Sequence, residues 1–337
     1  MRVRYNHNVA EITMQAEVSI RKQFLMMLAT GRPVSGEQLA RRLGCSRAAI
    51  SRQSAVLKKS GLHIHAAPGS GYRLRWPLSL LNEAVIASCL RSSAPLHVYE
   101  RVASTNQLLM MAAGVEDGEA CLAELQSAGR GRLGREWWSA PYRNILLSMA
   151  WNWQQGPAAL SGFSLAAGVA VVEALSAWKL PELALKWPND ILCQGQKLAG
   201  LLIEIRGEGE GPCRVVLGLG LNVHNPDPPD SLAGTLIDMQ AVVAAEVDRN
   251  HLASKLITAL QVMMRDFREY GFKPFQARWN ALHAYHGYQV IVSGGGPCIN
   301  GKAMGVNFRG ELEVEDVAGI IHHCIGGTLS LRPQAGS

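Results

Sequence analysis

The charge of this chain is unevenly divided along its length, and that division limits the folds open to it. Residues 1–80 hold 13 Lys and Arg against 3 Asp and Glu, a net of +10, while the other 257 residues hold 20 against 24, a net of −4. The overall charge of +6 is therefore a basic head on a mildly acidic body. Lys and Arg beside phosphates gain free energy by counterion release, so such a head suggests a polyanion partner. A well-solvated basic surface is the competing explanation from charge alone. With 337 residues the chain is long enough for two or three domains with sizeable cores. A content of 48% hydrophobic and 18% charged residues excludes a disordered chain.

The stretch Asn144–Val172 carries no charge, but Trp151-Asn152-Trp153-Gln154-Gln155-Gly156-Pro157 interrupts it. No continuous apolar run of about 20 residues remains, and the stretch reads as a buried strand, a turn and a buried helix, with no membrane partner. Two arginines near the N-terminus are not followed by an apolar run and cleavage site, which speaks against secretion. Seven cysteines without a Cys-x-x-Cys pair predict reduced, scattered thiols in a cytoplasmic protein.

The head (residues 1–80) opens on a patternless segment, residues 1–17, expected to be a mobile tail. From Ile20 onward, Phe24, Leu25 and Leu28 mark one helix face, ended by Gly31 and Pro33. Ser35-Gly36-Glu37-Gln38 has capping-box spacing, and Leu39, Ala40 and Leu43 supply the inward face of a second helix. Gly44 ends it and Cys45-Ser46 opens a third, with Ala49, Ile50 and Leu57 inward. Two short helices across a glycine turn form a helix-turn-helix. Its second helix is expected to present Ser46, Arg47, Ser51, Arg52 and Gln53 to phosphates and base edges. His63–Ala66, Pro68-Gly69-Ser70-Gly71 and Tyr72–Arg75 read as the strands and turn of a wing. Ser54 and Ser60 fall where large apolar residues are expected, and His63 and His65 read as surface residues and not metal ligands.

The body (residues 81–283) alternates strand-like runs (Ala120–Gln126, Ile145–Trp151, Val215–Leu219) with helical ones (Leu165–Trp178), which predicts an α/β or α+β domain on one large sheet. Five segments stand out. Ser104-Thr105-Asn106 opens a helix; such residues cap helices, and they also hydrogen-bond small polar ligands. Gly129-Arg130-Gly131-Arg132-Leu133-Gly134-Arg135 matches G-x-G-x-x-G, but Glu136-Trp137-Trp138-Ser139-Ala140-Pro141 is not the helix a dinucleotide site requires. Three arginines on a glycine loop instead suit phosphate or carboxylate, with a loop that is mobile when empty and folds over an anion. Lys186-Trp187-Pro188-Asn189-Asp190 and Lys197-Leu198-Ala199-Gly200 flank a turn that would bring Asp190 near Lys197, pre-organised to grip negative oxygens. Gly218-Leu219-Gly220-Leu221-Asn222 ends a strand whose glycines permit close approach, with Asn222 at its tip.

In this order and spacing the segments, with Gln126, resemble the biotin-protein ligase family from about Ile20 to Arg332, and the head resembles that of bifunctional ligase–repressors of bacterial biotin synthesis. The resemblance implies a two-step acyl transfer. Biotin and Mg²⁺-bound ATP give biotinyl-5′-AMP, and a lysine of a biotin carboxyl carrier domain then takes the biotin. It further implies that Ser104, Thr105, Asn106 and Gln126 line a biotin pocket and that Arg130, Gly131 and Arg132 close over biotin and the adenylate phosphate. Lys197 contacts the reacting oxygens, Asp190 positions it, and Arg135, Trp137 and Asn222 serve the nucleotide. Lys197, Arg132 and Asp190 form the catalytic set; no resident protein-bound metal is implied. Repressing members bind operator DNA as homodimers promoted by the adenylate. Ala103, Glu136 and the tryptophan-free segment Leu232–Thr235 depart from the family pattern outside the catalytic set. A ligase with a weakened DNA-binding head, a DNA-binding biotin sensor and a lipoate-type ligase are the alternatives.

The tail (residues 284–337) has short alternating runs, Tyr288–Val292, Lys302–Asn307, Glu311–Glu315 and Ile320–His323, between glycine-rich turns, which predict an SH3-like barrel. His322 and His323 fall on opposite strand faces, and Pro333–Ser337 is expected to be disordered.

Overall fold

The computed structural model describes residues 20–67, 69–207, 211–294, 297–326 and 329–333. The expected tail at residues 1–17 and residues 334–337 lie outside them, as do Pro68 of the wing turn and Gly327-Thr328 near the end. The chain divides into two compact units between Leu80 and Leu81.

In the first unit, helix α1 (residues 20–28) buries Phe24, Leu25 and Leu28, as a 3.6-residue period requires. Ser35 caps α2 (Gly36–Leu43), accepting from the Gln38 N–H, and Gly44 ends it at φ 61°. Ser46 caps α3 (Arg47–Lys59), accepting from the Ala49 N–H. The antiparallel hairpin β1 (Ile64–Ala67) and β2 (Gly71–Leu74) completes a winged helix-turn-helix. His63 and His65 are exposed. Gln53 departs from expectation: it is only 9% exposed and turns into the core rather than toward a partner. Ser54, 4% exposed, does occupy a core position, whereas Ser60 is the half-buried C-cap of α3, its hydroxyl donating to the Val56 carbonyl.

In the second unit the order is α4 (Glu83–Ser88), β3 (Leu96–Val102), α5 (Thr105–Met111), β4 (Glu119–Gln126), β5 (Ile145–Trp153), α6 (Phe163–Leu175), β6 (Leu183–Lys186), β7 (Asp190–Cys193), β8 (Gln196–Gly207), β9 (Cys213–Leu221), α7 (Met239–Val242), α8 (Arg249–Tyr270) and α9 (Lys273–Ala281). A seven-stranded mixed sheet runs β3-β4-β5-β9-β8-β7-β6, with β3 and β4 parallel and the other neighbours antiparallel. Alternation along the strands sorts its two faces. Leu147, Met149 and Trp151 of β5 and Val215, Leu217 and Leu219 of β9 join the core built with α6 and α8. Ala150 and Val216 face the other way, onto Leu109 of α5. The uncharged segment is thus β5, a turn and α6. Pro157–Trp178 has the length and apolarity of a membrane span, yet ten of the thirteen α6 residues are buried within the protein.

Where the chain enters this unit, the Leu81 N–H donates to Glu124 Oε1 at 2.7 Å. The other oxygen of Glu124 meets Arg249 of α8 at 2.5 Å, a buried ion pair that ties α8 to β4.

Strands β10 (Gln289–Ser293), β11 (Ile299–Val306), β12 (Leu312–Glu315), β13 (Ile321–Cys324) and β14 (Ser330–Pro333) form an antiparallel sheet in the order β13-β12-β11-β10-β14. It is an open sheet, with β13 and β14 at its edges, rather than the closed barrel expected. Pro333, expected to be disordered, belongs to β14, and the rest of that expected segment lies outside the described residues. Val290, Val292, Leu312, Val314 and Leu331 join the same hydrophobic core as the central sheet.

The segment between α9 and the second sheet pairs with β6, where the Leu185 N–H donates to the Leu282 carbonyl and the Ala284 N–H to that of Leu185. His283, between them, is buried against Trp279 with ring centroids 4.7 Å apart, and neither ring nitrogen has a hydrogen-bond partner among the described residues. Burial, assisted by the neighbouring His286, pushes its pKa down to about 4. The unfolded chain, with an ordinary imidazole near pH 6.5, then binds more protons than the folded one between these values, so stability falls as pH drops through the window. Urea unfolding should show His283 withdrawing about 3 kcal/mol between pH 6.5 and 4. His283→Phe should flatten that slope, and an unchanged slope in the variant would refute this account.

Candidate active site

The α5 face of the central sheet carries a cleft because two β9 residues there have no side chain. A Cβ on Gly218 would fall 2.4 Å from Asn106 Oδ1, and one on Gly220 would fall 2.4 Å from the Trp137 ring. These absences let the first turn of α5 and the Trp137 indole lie directly on the strand.

At one end, Ser104 caps α5, accepting from the Gln107 N–H, so the capping explanation holds for it. Thr105 and Asn106 are buried within the first turn. The Thr105 N–H donates to Gln126 Oε1 at 2.7 Å, and its hydroxyl reaches the same oxygen at 3.1 Å. Ser148 of β5 places its hydroxyl 2.7 Å from Thr105 Oγ1 and 2.5 Å from Asn106 Oδ1. The Asn106 amide nitrogen donates to Glu204 at 2.8 Å and to the Leu202 carbonyl at 3.3 Å.

The arginine loop covers the middle. Arg132–Gly134 makes a single 3-10 turn with Leu133 left-handed at φ 57°, and no helix follows, as the sequence implied. The Gly131 N–H donates to the Arg135 carbonyl at 2.7 Å, and the Trp137 N–H to that of Gly129 at 2.9 Å, which folds the loop onto itself. Arg130 pairs with Glu204 at 3.1 Å. Arg132 donates to Asn189 Oδ1 at 3.1 Å, to the Leu329 carbonyl at 3.0 Å and to that of Gly326. Burial lowers its pKa, opposed by Asp190. The loop is thus folded over the cleft with its second arginine held by the C-terminal segment.

Opposite lies Lys197. A bulge between Ile191 and Leu192 sets Asp190 across from Gly200, and a Cβ on Gly200 would fall 3.2 Å from Lys197 Cε. The lysine therefore folds back over that glycine to reach Asp190 Oδ1 at 2.6 Å, with its ammonium 5.3 Å from the centre of the Trp137 ring. The Trp137 indole lines the cleft, while its N–H is buried against β9 at Gly220 and has no hydrogen-bond partner among the described residues. Lys186 also faces the cleft. Burial depresses its pKa first, Asp190 opposes that, and Lys197, Arg332 and Arg135 depress it further.

The cleft lining holds five cations (Arg130, Arg132, Arg135, Lys186, Lys197) against two carboxylates, Glu136 and Asp190. A cleft so charged suits a ligand with several negative oxygens. Of the residues singled out by sequence, Ser104, Thr105, Asn106, Gln126, Arg130, Gly131, Arg132, Arg135, Trp137, Asp190 and Lys197 all line it. Asn222 does not. It is buried behind the wall, donating to the Lys197 carbonyl at 3.2 Å, and so braces the strand that carries the lysine. Sequence reasoning missed Lys186 and Asn189, although both stand inside a motif it quoted. It also missed Ser148 and Glu204, which belong to apolar strands; as the one acid within Leu201–Ile205, Glu204 carried a usable signal.

Comparison with known proteins follows the same division. The profile of the biotin/lipoate A/B protein ligase family matches residues 98–222, and that of an HTH domain matches residues 20–73. The chain is 37% identical over 311 residues to the bifunctional ligase/repressor BirA of Escherichia coli, covering 92% of this chain and 96% of that protein. It is 36% identical over 235 residues to the biotin–[acetyl-CoA-carboxylase] ligase of Mycobacterium tuberculosis, covering 64% and 82%. Among solved structures, the biotin protein ligase of Aquifex aeolicus in complex with biotin and ATP superposes with a TM-score of 0.63 at 27% identity, covering 71% of this chain and 99% of that one.

The glycine clearance is testable without any ligand. Gly220→Ala should displace the Trp137 ring, lower stability by about 1–3 kcal/mol and shift the tryptophan emission. An unaltered emission spectrum and melting temperature would contradict the packing described.

Proposed function

The chain belongs to the biotin protein ligase family, in the group that carries an N-terminal helix-turn-helix, and from that premise we propose how its residues perform the reaction. It joins biotin to a carrier protein at the expense of ATP and acts as a repressor through its head. Convergence of Lys197 and Arg132 on one cleft, with Asp190 beside the lysine, is the observation that carries the mechanism.

Biotin's ring end is taken by Ser104, Thr105 and Gln126, with Asn106 beneath them, and its carboxylate points toward Arg130, Gly131, Arg132 and Lys197. One carboxylate oxygen attacks the α-phosphorus of ATP. The new P–O bond forms as the bond to the β-phosphate oxygen breaks, and pyrophosphate leaves. Negative charge grows on the phosphoryl oxygens during this step, and pre-placed cations stabilise it without reorganisation. Asp190 holds the Lys197 ammonium in place, and Arg135 and Trp137 serve the nucleotide, with Asn222 supporting them through the strand. The neutral amine of a lysine on a biotin carboxyl carrier domain then attacks the acyl carbon of biotinyl-5′-AMP. An amide forms, AMP leaves and the amine's proton is released. No covalent enzyme intermediate is needed, since orientation and charge neutralisation supply the acceleration.

Among the described residues no group of three His, Cys, Asp or Glu gathers as a resident metal site. Mg²⁺ is read as entering with ATP, on phosphate oxygens and water.

For the head, Ser46, Arg47, Ser51 and Arg52 form the face that meets operator DNA, and Gln53 is withdrawn from the set because it is buried. Pairing of two chains, promoted by the adenylate, is read at β8. Its end at residues 203–207 extends beyond the residues that pair with β7 and Asn189 and leaves a backbone edge for a second copy. The C-terminal sheet is read as an SH3-like barrel in open form, supported by the bulge between Ala303 and Gly305 that bends β11. Operator DNA and a carrier protein as partners imply action in the cytoplasm, and all seven cysteines are free thiols.

Incubation with labelled biotin, MgATP and a carrier domain should label one carrier lysine. Lys197→Ala and Arg132→Ala should each slow adenylate formation by about 100-fold or more. Adenylate formation at the wild-type rate in both variants would remove the mechanism. Operator binding in a gel-shift assay should strengthen when biotin and ATP are added and weaken in Arg47→Ala, and a shift indifferent to both ligands would contradict regulation by the adenylate.

A further inference from the structure

Glu204 lies on β8, outside the catalytic set, and its two carboxylate oxygens face different parts of the site. One meets the Arg130 guanidinium of the loop at 3.1 Å and the other the Asn106 amide nitrogen at 2.8 Å. From Asn106 the contacts continue through the Ser148 hydroxyl at 2.5 Å to Thr105 at 2.7 Å and on to Gln126 at 3.1 Å. A single chain of polar groups thus links the arginine loop to the ring end of the cleft. We propose that Glu204 is a positioning residue that sets the direction of every proton in this chain, so that the ring end presents hydrogen-bond acceptors to the N–H groups of a cyclic urea. This rests on the biotin reading of the cleft.

Donor and acceptor counts fix these proton directions. An ionised carboxylate only accepts, so Glu204 and the Leu202 carbonyl require the amide nitrogen of Asn106 to face them. Asn106 Oδ1 then faces Ser148 and can only accept, so the one Ser148 proton goes to it. The contact between Ser148 and Thr105 must then be made by the Thr105 proton, which is withdrawn from Gln126. Gln126 Oε1 keeps only the Thr105 N–H as a donor, and lone pairs of Gln126 and Thr105 remain for a ligand. With an amide in place of the carboxylate, only the longer contact with the Leu202 carbonyl at 3.3 Å still favours this orientation, and Asn106 can turn over to accept from the new amide. Ser148 then donates to Thr105 and Thr105 to Gln126, and those acceptor positions are consumed from within. Burial of the chain makes the difference matter, because Thr105, Asn106 and Ser148 have almost no access to water that would compensate. The absent side chain at Gly218 is what lets Asn106 sit in this chain at all.

The test measures kcat and the KM values for biotin and ATP in the wild type, Glu204→Gln, Ser148→Ala and the double variant, with melting temperatures as a check on folding. Glu204→Gln should raise the biotin KM about tenfold while kcat and the ATP KM stay within about twofold, the scale of one lost charge-assisted hydrogen bond. Ser148→Ala, which cuts the same chain from the other side, should do likewise, and the double variant should be no worse than the poorer single one. A biotin KM within about twofold of wild type in a folded Glu204→Gln, or single effects that multiply in the double variant, would overturn the inference. Should Glu204→Gln not fold, an unchanged biotin KM in Ser148→Ala overturns it equally. A wild-type chain that makes no adenylate overturns the ligase reading and this inference together, whereas an active wild type with an indistinguishable Glu204→Gln overturns this inference alone.

Discussion

Five cations facing one cleft repel one another, and the closest of the ion pairs that offset this repulsion joins Lys197 to Asp190. At 2.6 Å the carboxylate neutralises part of the excess charge and also fixes where the ammonium stands. That contact exists because β8 carries both a bulge at Leu198, opposite Ile191 and Leu192, and a glycine at the position the lysine must cross. Asn222 and the Thr235 carbonyl hold the lysine's own backbone from behind. The cleft chemistry is therefore a property of strand register, and rigid strands are what keep mutually repelling groups within reach of one ligand.

The loop side obeys a different constraint. Arg132 is partly buried and its pKa is lowered by that burial, yet its donors are met by Asn189 and by backbone carbonyls from the C-terminal segment. Carbonyls satisfy a guanidinium without cancelling its charge, so the arginine stays available as a cation for an incoming phosphate or carboxylate. Arg130, in contrast, is matched to the carboxylate of Glu204. Two arginines two residues apart are thus held by different chemistry, one by dipoles and one by an ion.

Much of the fold could be read from the residues because local signals and tertiary packing agree. The caps at Ser35, Ser46 and Ser104 and the glycine turn at Gly44 stand where the sequence put them. So does the strand–turn–helix reading of the uncharged stretch. The misreadings come from groups whose role is set by distant partners. Gln53 looks like an exposed polar residue on its helix but faces inward, and Asn222 looks like a strand-tip ligand but supports Lys197 from behind. Ser148 and Glu204 belong to apolar strands with no motif, and only the pairing of β5, β9 and β8 brings them beneath α5. The open edge of the C-terminal sheet was hidden for a similar reason, since closure depends on the relation of β13 to β14 and alternation reports only which side of each strand is buried.

The central claim is that Lys197 and Arg132 together surround the acyl phosphate formed in the cleft. A crystal structure with a non-hydrolysable biotinyl-adenylate analogue tests it most directly. Both the Lys197 ammonium and the Arg132 guanidinium should lie within hydrogen-bond distance of the group that links biotin to the nucleotide, with the lysine still held by Asp190. A linking group bound away from both side chains would contradict it.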